Sequence, residues 1–251
     1  MMRNKTGMAA GIAVALVLAL GCRLGLAQIG PRYTVDIMTD KGWQGGSGKA
    51  QQGRLELVGK GLTLIRYDGL RILTVGADAE AYSAAAVGDW PQADLLVMSP
   101  ALTGRYSGLA PLAALHGLNV LLPAPVDGTP VPPGPRFYPM HTWDVLHLRK
   151  GKALLRVTAM PGPPGMAQIA GFVLELGAGR TSYRVYISCT PLEDAELEAL
   201  PARLPGADLA LLPVPAEPAP RLLPLQPGHQ QRQLAPTVLT RAGYAFTAIR
   251  R

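Results

Sequence analysis

The stretch Ala93–Gly117, ADLLVMSPALTGRYSGLAPLAALHG, carries the signals of a buried strand followed by a helix. Asp94–Met98 is a short apolar run of the kind that forms a buried parallel strand. Ser107 is a suitable N-cap for a helix over Gly108–His116, and the next glycine is a residue that commonly ends helices. Asn119–Leu122 then supplies another apolar run, so this region predicts a strand–helix–strand unit.

A second stretch, Tyr183–Leu212, repeats that order: YRVYISCTPLEDAELEALPARLPGADLALL. Its first six residues and Asp208–Leu212 are predicted strands. Between them, Thr190-Pro191-Leu192-Glu193 has the form of a capping box, with threonine as the cap and proline at the first helical position. The stretch therefore predicts a helix over Pro191–Arg203 between two strands.

Further strands and turns surround these two units. Asp68-Gly69 between the apolar runs Leu62–Tyr67 and Leu70–Val75 predicts a β-hairpin, and Tyr33–Met38 alternates as an edge strand does. The remaining predictions are strands at Arg54–Val58, Asp144–Leu148, Ala153–Met160, Ile169–Leu176 and Tyr244–Ile249, proline-rich connections at Pro123–Pro139 and Pro213–Gly228, and a helix around Gln230–Ala242. This order predicts two sheets flanked by helices.

Both stretches resemble the metallo-β-lactamase superfamily, in particular its lactonase-like and phospholipase-like branch. In that branch the first strand ends in a Thr-His-x-His-x-Asp-His run, which is followed by Tyr-Ser-Gly and a helix, as in YSGLAPLAAL here. The resemblance covers most of Gly53–Leu212. It implies an α/β fold, a four-layer αββα sandwich of two mixed β-sheets flanked by helices, with a zinc centre at the strand ends.

The positions that hold zinc in the superfamily carry other residues in this chain. In the first stretch they align with Pro100, Leu102, Gly104 and Arg105. Elsewhere Pro164 stands in the place of a histidine, Cys189 in the place of the bridging aspartate and Gln226 in the place of the last histidine. The resemblance therefore implies the scaffold of the family without its metal ligands.

The chemistry of these replacements opposes a zinc centre. Catalytic zinc needs about three imidazole, thiolate or carboxylate ligands and an open position for water. Proline side chains have no donor atom, and the permanent positive charge of Arg105 repels a dication. We therefore expect no cofactor, although zinc is the cofactor that the resemblance implies.

The four histidines do not rebuild the site in any recognisable pattern. His116 ends the predicted helix, and His141 and His147 flank a strand start. His229 lies near the position of the last family histidine and is the one residue retained as a candidate metal ligand. A thiol–imidazole pair of Cys189 and His229 would lack a third, orienting group.

Arg105, Tyr106 and Ser107 form a candidate anion-binding site, because they precede a predicted helix whose N-terminus favours negative charge. The alternative is that Arg105 pairs with Asp78 or Glu80. Two functions follow: a catalytically inactive binding or accessory protein for a small anionic ligand or a protein partner, or a hydrolase of an ester, lactone or phosphodiester with a relocated metal site. A decaying gene copy without activity is a third interpretation.

Residues 1–27 resemble an export signal, with Arg3 and Lys5 before the apolar run Met8–Leu20. Cleavage before Gln28 would release a domain of residues 28–251. Cys22 in Ala-Leu-Gly-Cys resembles a lipobox, so lipidation there, or a retained N-terminal anchor, stays open. Each outcome places the domain in the periplasm or elsewhere outside the cytoplasm, with membrane anchoring through the N-terminus in the latter two.

The composition agrees with a globular exported domain. Hydrophobic residues make up 48% of the 251 residues and charged residues only 16%, which argues against disorder. The net charge of +7 comes from scattered basic residues without interleaved aromatic ones, so no nucleic-acid partner is expected. Once processing has used Cys22, Cys189 has no partner for an intramolecular disulfide.

Overall fold

The fold is given by a computed structural model of the chain. It describes residues 31–38, 52–76, 82–99, 109–124, 131–162, 169–178, 180–214, 217, 219–225 and 236–251. Arg32–Arg251 forms one compact unit. Within the described residues, none of the helices combines the length and the apolar character that a membrane span requires.

The described strands form two mixed β-sheets. The nine-stranded sheet contains, in spatial order, Tyr33–Ile37 (β1), Val145–Lys150 (β8), Ala153–Pro161 (β9), Ile169–Ala178 (β10), Thr181–Ser188 (β11), Leu209–Leu212 (β12), Arg221–Pro224 (β13) and Thr237–Val238 (β14), with Ile249–Arg250 (β16) paired to β11. The seven-stranded sheet contains Tyr244–Thr247 (β15), Gln52–Gly59 (β2), Leu62–Tyr67 (β3), Leu70–Val75 (β4), Leu95–Met98 (β5), Asn119–Pro123 (β6) and Arg136–Met140 (β7).

The parallel strand predicted at Asp94–Met98 is confirmed as β5, and further parallel pairs are present, among them β1 with β8. β4, β5, β6 and β7 are parallel to one another in turn, and β11 is parallel to β12. The Asp68-Gly69 hairpin is confirmed, since both residues have positive φ, 46° and 81°, as a two-residue type I′ turn requires. The bounds predicted for β3 and β4 are also confirmed.

Alternation along the strands divides the apolar residues among three clusters and so defines four layers. On β5, Leu95 and Val97 face the cluster between the sheets, whereas the two residues that alternate with them face outward. That outer cluster contains Val87 of the helix Ala84–Gly88 (α1) and Leu112 of the 3₁₀ helix Ala110–Ala114.

The nine-stranded sheet is covered in the same way on its own outer face. Leu209 and Leu211 of β12 face the central cluster, whereas Ala210 and Leu212 pack with residues of the helix Asp194–Arg203 (α2). The described part of the chain is thus an αββα sandwich, as the sequence predicted.

Three helix predictions need correction. The helix expected over Gly108–His116 is the short 3₁₀ helix, held by i→i+3 bonds and preceded by Leu109, which has no side-chain cap. Pro111, which has no backbone N–H, stands in its first turn. The cap Ser107 lies outside the described residues. Of the helix around Gln230–Ala242, residues 236–242 contain the strand β14 instead.

The predicted capping box at Thr190 is also wrong. The helix α2 begins three residues later, with Glu193 as its N-cap and Glu196 closing the box onto the backbone N–H of Glu193 at 3.1 Å. The Thr190 carbonyl accepts a hydrogen bond from the Ser188 hydroxyl at 2.6 Å, which holds this residue in the turn after β11. Arg203 ends the helix as predicted.

The proline-rich connections contain strands that the sequence missed. Pro139 is tolerated in β7 because β7 is an edge strand, and Pro224 is tolerated because it is the last residue of β13. The last predicted strand, Tyr244–Ile249, is two strands, since β15 joins the seven-stranded sheet and β16 joins the other. Tyr33–Met38 is confirmed as an edge strand in β1.

Candidate functional site

A narrow cleft lies where the carboxyl ends of β4 and β5 in one sheet face those of β11 and β12 in the other. It is lined by side chains and backbone that include Val75, Ser99, Ser188, Cys189, Pro213 and Glu217. Its cavity volume is about 50 Å³. At roughly 10–15 Å³ for each water position, that is room for about four water molecules. The end of the sandwich that contains it is called the cleft end below.

The two motifs that the sequence singled out meet in this cleft. Ser99 directly follows β5, and Cys189 directly follows β11. The Ser99 hydroxyl donates a hydrogen bond to the Cys189 carbonyl at 3.1 Å, and the Ser99 N–H donates to the Val75 carbonyl at 3.1 Å. Ser99 and Cys189 are 5% and 2% exposed, so a buried hydrogen bond joins the two sheets at this end.

Of the positions that the resemblance aligns with metal ligands, Cys189 is the one that the described residues include. Its thiol is buried, and burial raises the pKa of this thiol well above its ordinary range. The Cys189 N–H donates to the Ala170 carbonyl at 2.9 Å, so the backbone is also held in place. Because the thiolate is the form that attacks electrophiles and binds metals, this cysteine is an inert core residue in the folded state.

The other hydroxyls near the cleft are directed at backbone carbonyls. Thr74 donates to Thr63 at 3.4 Å, and Ser188 donates to Thr190 at 2.6 Å. The Tyr186 hydroxyl donates to the Ala170 carbonyl at 3.4 Å, and burial raises the pKa of Tyr186 to about 12. These groups act as neutral donors that complete backbone hydrogen bonding, and none of them is paired with a general base.

Glu217 carries the only carboxylate among the described residues that line the cleft. It forms an ion pair with Arg221, four residues later, with an Nη2–Oε1 distance of 2.7 Å. Its side chain is 37% exposed, so it lies at the mouth of the cleft. A single partly exposed, paired carboxylate has no second acid or imidazole with which to divide acid and base roles.

The described residues of the cleft do not fit a zinc centre. Within the part of the chain that the structure describes, no three His, Cys, Asp or Glu side chains are grouped so that they would hold a metal ion. The donor set of the cleft consists of a protonated thiol, hydroxyls committed to carbonyls and the paired Glu217. Zinc prefers imidazole, thiolate or carboxylate ligands. The described cleft residues do not supply a set of such ligands.

Most of the predicted site residues lie outside the described residues. These are the positions that the resemblance aligns with metal ligands, Pro100, Leu102, Gly104, Arg105, Pro164 and Gln226, the candidate anion site with Tyr106 and Ser107, the candidate ligand His229, the lipidation candidate Cys22, and Asp78 and Glu80. The roles given to these residues therefore stay predictions.

The described histidines lie apart from the cleft residues. His141 Nδ1 is 2.8 Å from an Arg32 guanidinium nitrogen and 3.3 Å from Asp144 Oδ2. His147 is exposed on β8, and His116 is exposed just after the 3₁₀ helix. A guanidinium donor beside His141 occupies the lone pair that a metal would need.

The sequence did not identify Ser99, Ser188 or Glu217 as cleft residues. Ser99 and Ser188 each lie at the end of a strand that was predicted, and small polar residues at that position in an α/β fold were the available signal. Glu217 lies in a proline-rich connection, where no sequence signal marked it as a cleft residue.

Comparisons with known proteins identify similar solved structures but no sequence relatives. No protein-family model matches the chain, and no curated protein matches it. The chain is similar to the metallo-β-lactamase fold protein YhfI from Bacillus subtilis, with 12% identity, 64% of this chain and 70% of that chain covered, and a TM-score of 0.37.

Two further solved structures are similar over 64% of this chain at 16% identity. One is CmlA, a diiron β-hydroxylase from Streptomyces venezuelae, with 34% of that chain covered and a TM-score of 0.38. The other is a B3 metallo-β-lactamase with an active-site glutamic acid, with 75% of that chain covered and a TM-score of 0.37. Since these TM-scores are below 0.5, the αββα architecture rests on the strand pairing and layer packing of this chain itself.

Proposed function

We propose that this chain is an exported protein of the metallo-β-lactamase fold that has lost zinc-dependent hydrolysis and acts as a binding or accessory protein for a small anionic ligand. The observation that carries the proposal is the direct hydrogen bond from Ser99 to Cys189. In the superfamily that the motifs resemble, metal ligands begin right after the first strand and return after the second. In this chain the residues that directly follow those two strands, Ser99 and Cys189, are hydrogen-bonded to each other.

The size and chemistry of the cleft support binding rather than hydrolysis. Space for about four waters is too little for an extended ester or phosphodiester within the described lining. The thiol of Cys189 is protonated, and Glu217 is paired with Arg221. Hydrolysis at neutral pH needs an activated water or nucleophile, and the described cleft residues supply neither.

The anionic character of the ligand is inferred from Arg105, with Tyr106 and Ser107 beside it in the sequence. A guanidinium offers several donors in a fixed plane that matches a carboxylate or phosphate. The ligand proposed for this site is therefore a small carboxylate or phosphate ester, and a protein partner that presents such a group is included.

The zinc content of the full-length protein, purified after zinc supplementation and measured by elemental analysis, tests the loss of the metal centre. We expect near-zero zinc and no measurable hydrolysis of ester, lactone and phosphodiester substrates. One or two zinc ions per chain together with hydrolysis would overturn the proposal in favour of a relocated metal site. His229 and Cys189 would then be the first residues to replace.

Calorimetric titration of the same protein with small carboxylates and phosphate esters tests the binding role. Arg105→Gln should weaken binding about tenfold, since one charge-assisted bidentate contact contributes on the order of 1.5–3 kcal/mol. Arg156→Gln is the matched control, because Arg156 is an exposed arginine on β9. Equal affinities of both variants would exclude Arg105 from the site.

The intact mass of protein from an exporting host distinguishes a start at Gln28 from lipidation at Cys22.

A further inference from the structure

Three arginines lie side by side across three neighbouring strands at the end of the seven-stranded sheet opposite the cleft. Arg54 on β2 is the direct cross-strand partner of Arg66 on β3, and Arg66 is the direct partner of Arg71 on β4. These three residues are called the arginine row, and the end of the sandwich that holds them is called the arginine end. Directly opposed like charges on one face of a sheet destabilise the pairing.

The arginine row faces away from the core between the sheets. The strand neighbours of the three arginines, which point to the other face, belong to the central cluster: Leu55, Ile65, Tyr67, Leu70 and Ile72. The side chains of Arg54 and Arg66 are 49% and 55% exposed, and Arg71 is half-buried. The guanidinium groups are therefore on a surface that solvent and ligands reach.

Local carboxylates do not balance this charge. Glu56 is within 3.2 Å of Arg54 through one oxygen and within 3.2 Å of Arg66 through the other. The next acid along the row, Asp94, is occupied by Lys150 at 2.8 Å. Among the described residues, no carboxylate lies within ion-pair distance of the Arg71 guanidinium. Asp68, in the turn that also lines the cleft, is the other local carboxylate, so three positive charges face two negative ones and one positive charge is uncompensated.

The arginines line an open cleft rather than a flat surface. Arg54, Arg66 and Arg71 all border it, together with the Asp68-Gly69 turn and β15, and its cavity volume is about 530 Å³. Arg54 is held in place, since its guanidinium donates to the Ala242 carbonyl while Glu56 contacts its Nε. The row therefore combines one positioned arginine with the half-buried Arg71, for which the described residues supply no ion-pair partner.

We propose that the arginine row binds a small polyanion with two or more phosphoryl groups. Adjacent strands lie about 4.8 Å apart, so the three positions span roughly 10 Å, which suits neighbouring phosphoryl groups better than a single monovalent anion. Guanidinium groups bind phosphate oxygens through two parallel hydrogen bonds. A polyanion would also offset the repulsion between the facing arginines.

This site is separate from the one under the proposed function. Arg71 and Val75 stand near opposite ends of β4, four residues or roughly 13 Å apart along the strand. Failure of the Arg105 site would leave the arginine row untouched, and the reverse also holds.

Titration of the full-length protein with tripolyphosphate at low and at physiological salt tests the proposal. We expect saturable binding by the parent chain, weakened about tenfold by Arg71→Gln and by a similar factor by Arg66→Gln. Arg156→Gln, which replaces an exposed arginine on the other sheet, should bind as the parent does. Circular dichroism should report unchanged folding, because the replaced side chains are at the surface.

Absence of tripolyphosphate binding by the parent chain would overturn the proposal, and so would equal weakening by Arg156→Gln, which would indicate a diffuse charge effect. Vesicles containing phosphatidylglycerol, compared with neutral vesicles, distinguish the source of the phosphoryl groups. Binding of tripolyphosphate alone supports a soluble ligand. Row-dependent binding of the anionic vesicles as well supports a lipid headgroup as the source.

Discussion

The two ends of the sandwich differ in the kind of polar group that they contain and in how its charge is compensated. At the cleft end, where the resemblance implied a dication, the buried described groups are hydroxyls that donate to backbone carbonyls and the buried thiol of Cys189. The carboxylate of Glu217 is paired with Arg221, and Ser99 joins one sheet to the other. At the arginine end, Lys150 and Asp94 join the sheets by an ion pair, and the arginine row leaves positive charge in excess. The two sheets are thus joined by the Ser99–Cys189 hydrogen bond at one end and by the Lys150–Asp94 ion pair at the other.

This difference shows which end can accept charge without loss of stability. A buried ion is costly unless a partner and hydrogen bonds compensate it. Cys189 has no such partner in the described cleft, whereas Asp94 has both Lys150 and the Arg71 backbone N–H at 2.8 Å. The comparison yields three predictions, in order of decreasing effect.

Cys189→Asp should destabilise the protein most, by about 3 kcal/mol, because it places a carboxylate at a position that is 2% exposed. The free energy of unfolding in urea measures the loss. The control Cys189→Ala keeps the site neutral and should cost about 1 kcal/mol, the typical effect of a single substitution. An aspartate variant as stable as the parent, or one that zinc stabilises, would show that the cleft end still accepts charge.

Lys150→Met should cost about 2 kcal/mol, since Asp94, whose side chain is 10% exposed, would lose its charged partner. The neighbouring Arg149 forms an ion pair with Asp36, and these two side chains are 63% and 56% exposed. Arg149→Met is therefore the matched control and should cost about 0.5 kcal/mol or less. Equal losses in the two variants, measured by urea unfolding, would refute the role of burial at this end.

Alkaline pH should produce the smallest effect, about 1 kcal/mol between pH 9 and 10. Burial raises the pKa of the Cys189 thiol well above its ordinary value of 9.0, and burial raises the pKa of Tyr186 from 10.0 to about 12. The folded protein therefore holds protons that the unfolded chain releases, so stability is full below pH 9 and falls as the pH rises above it. Urea unfolding at several pH values measures this slope, at most about 1.4 kcal/mol per pH unit for each group.

Cys189→Ala should flatten the decline between pH 9 and 10, while the decline at higher pH persists because the buried tyrosines Tyr67, Tyr82 and Tyr186 remain, each with a pKa raised to about 12. An unchanged slope between pH 9 and 10 in that variant would mean that the thiol of Cys189 is not protected in the folded state.

The capping of α2 shows how far local patterns predicted the structure. Two overlapping boxes are present, Thr190 with Glu193 and Glu193 with Glu196, and only the first has the threonine or serine cap that the sequence rule requires. The first was predicted and the second is formed, because the Ser188 hydroxyl holds the Thr190 carbonyl in the preceding turn. Whether Thr190 or Glu193 caps the helix depends on contacts that a sequence pattern does not contain.

The candidate site was predicted in part. The sequence identified both strand ends and Cys189, because motifs of a known superfamily surround them. It did not predict that Ser99 would donate to the Cys189 carbonyl, since these residues are 90 positions apart. It also did not predict the ion pair of Lys150 with Asp94, because these partners come from different sheets.

The arginine row separates local from long-range information. The two-residue turn Asp68-Gly69 sets the register of β3 and β4, so the pairing of Arg66 with Arg71 follows from local sequence. Arg54 joins the row through the pairing of β2 with β3, a second hairpin with a two-residue connection, in which an irregularity between Leu57 and Gly59 shifts the register. Turn geometry is encoded in adjacent residues, whereas the register of distant strands, the division of 244–250 between two sheets and the closure of the cleft depend on how the layers pack.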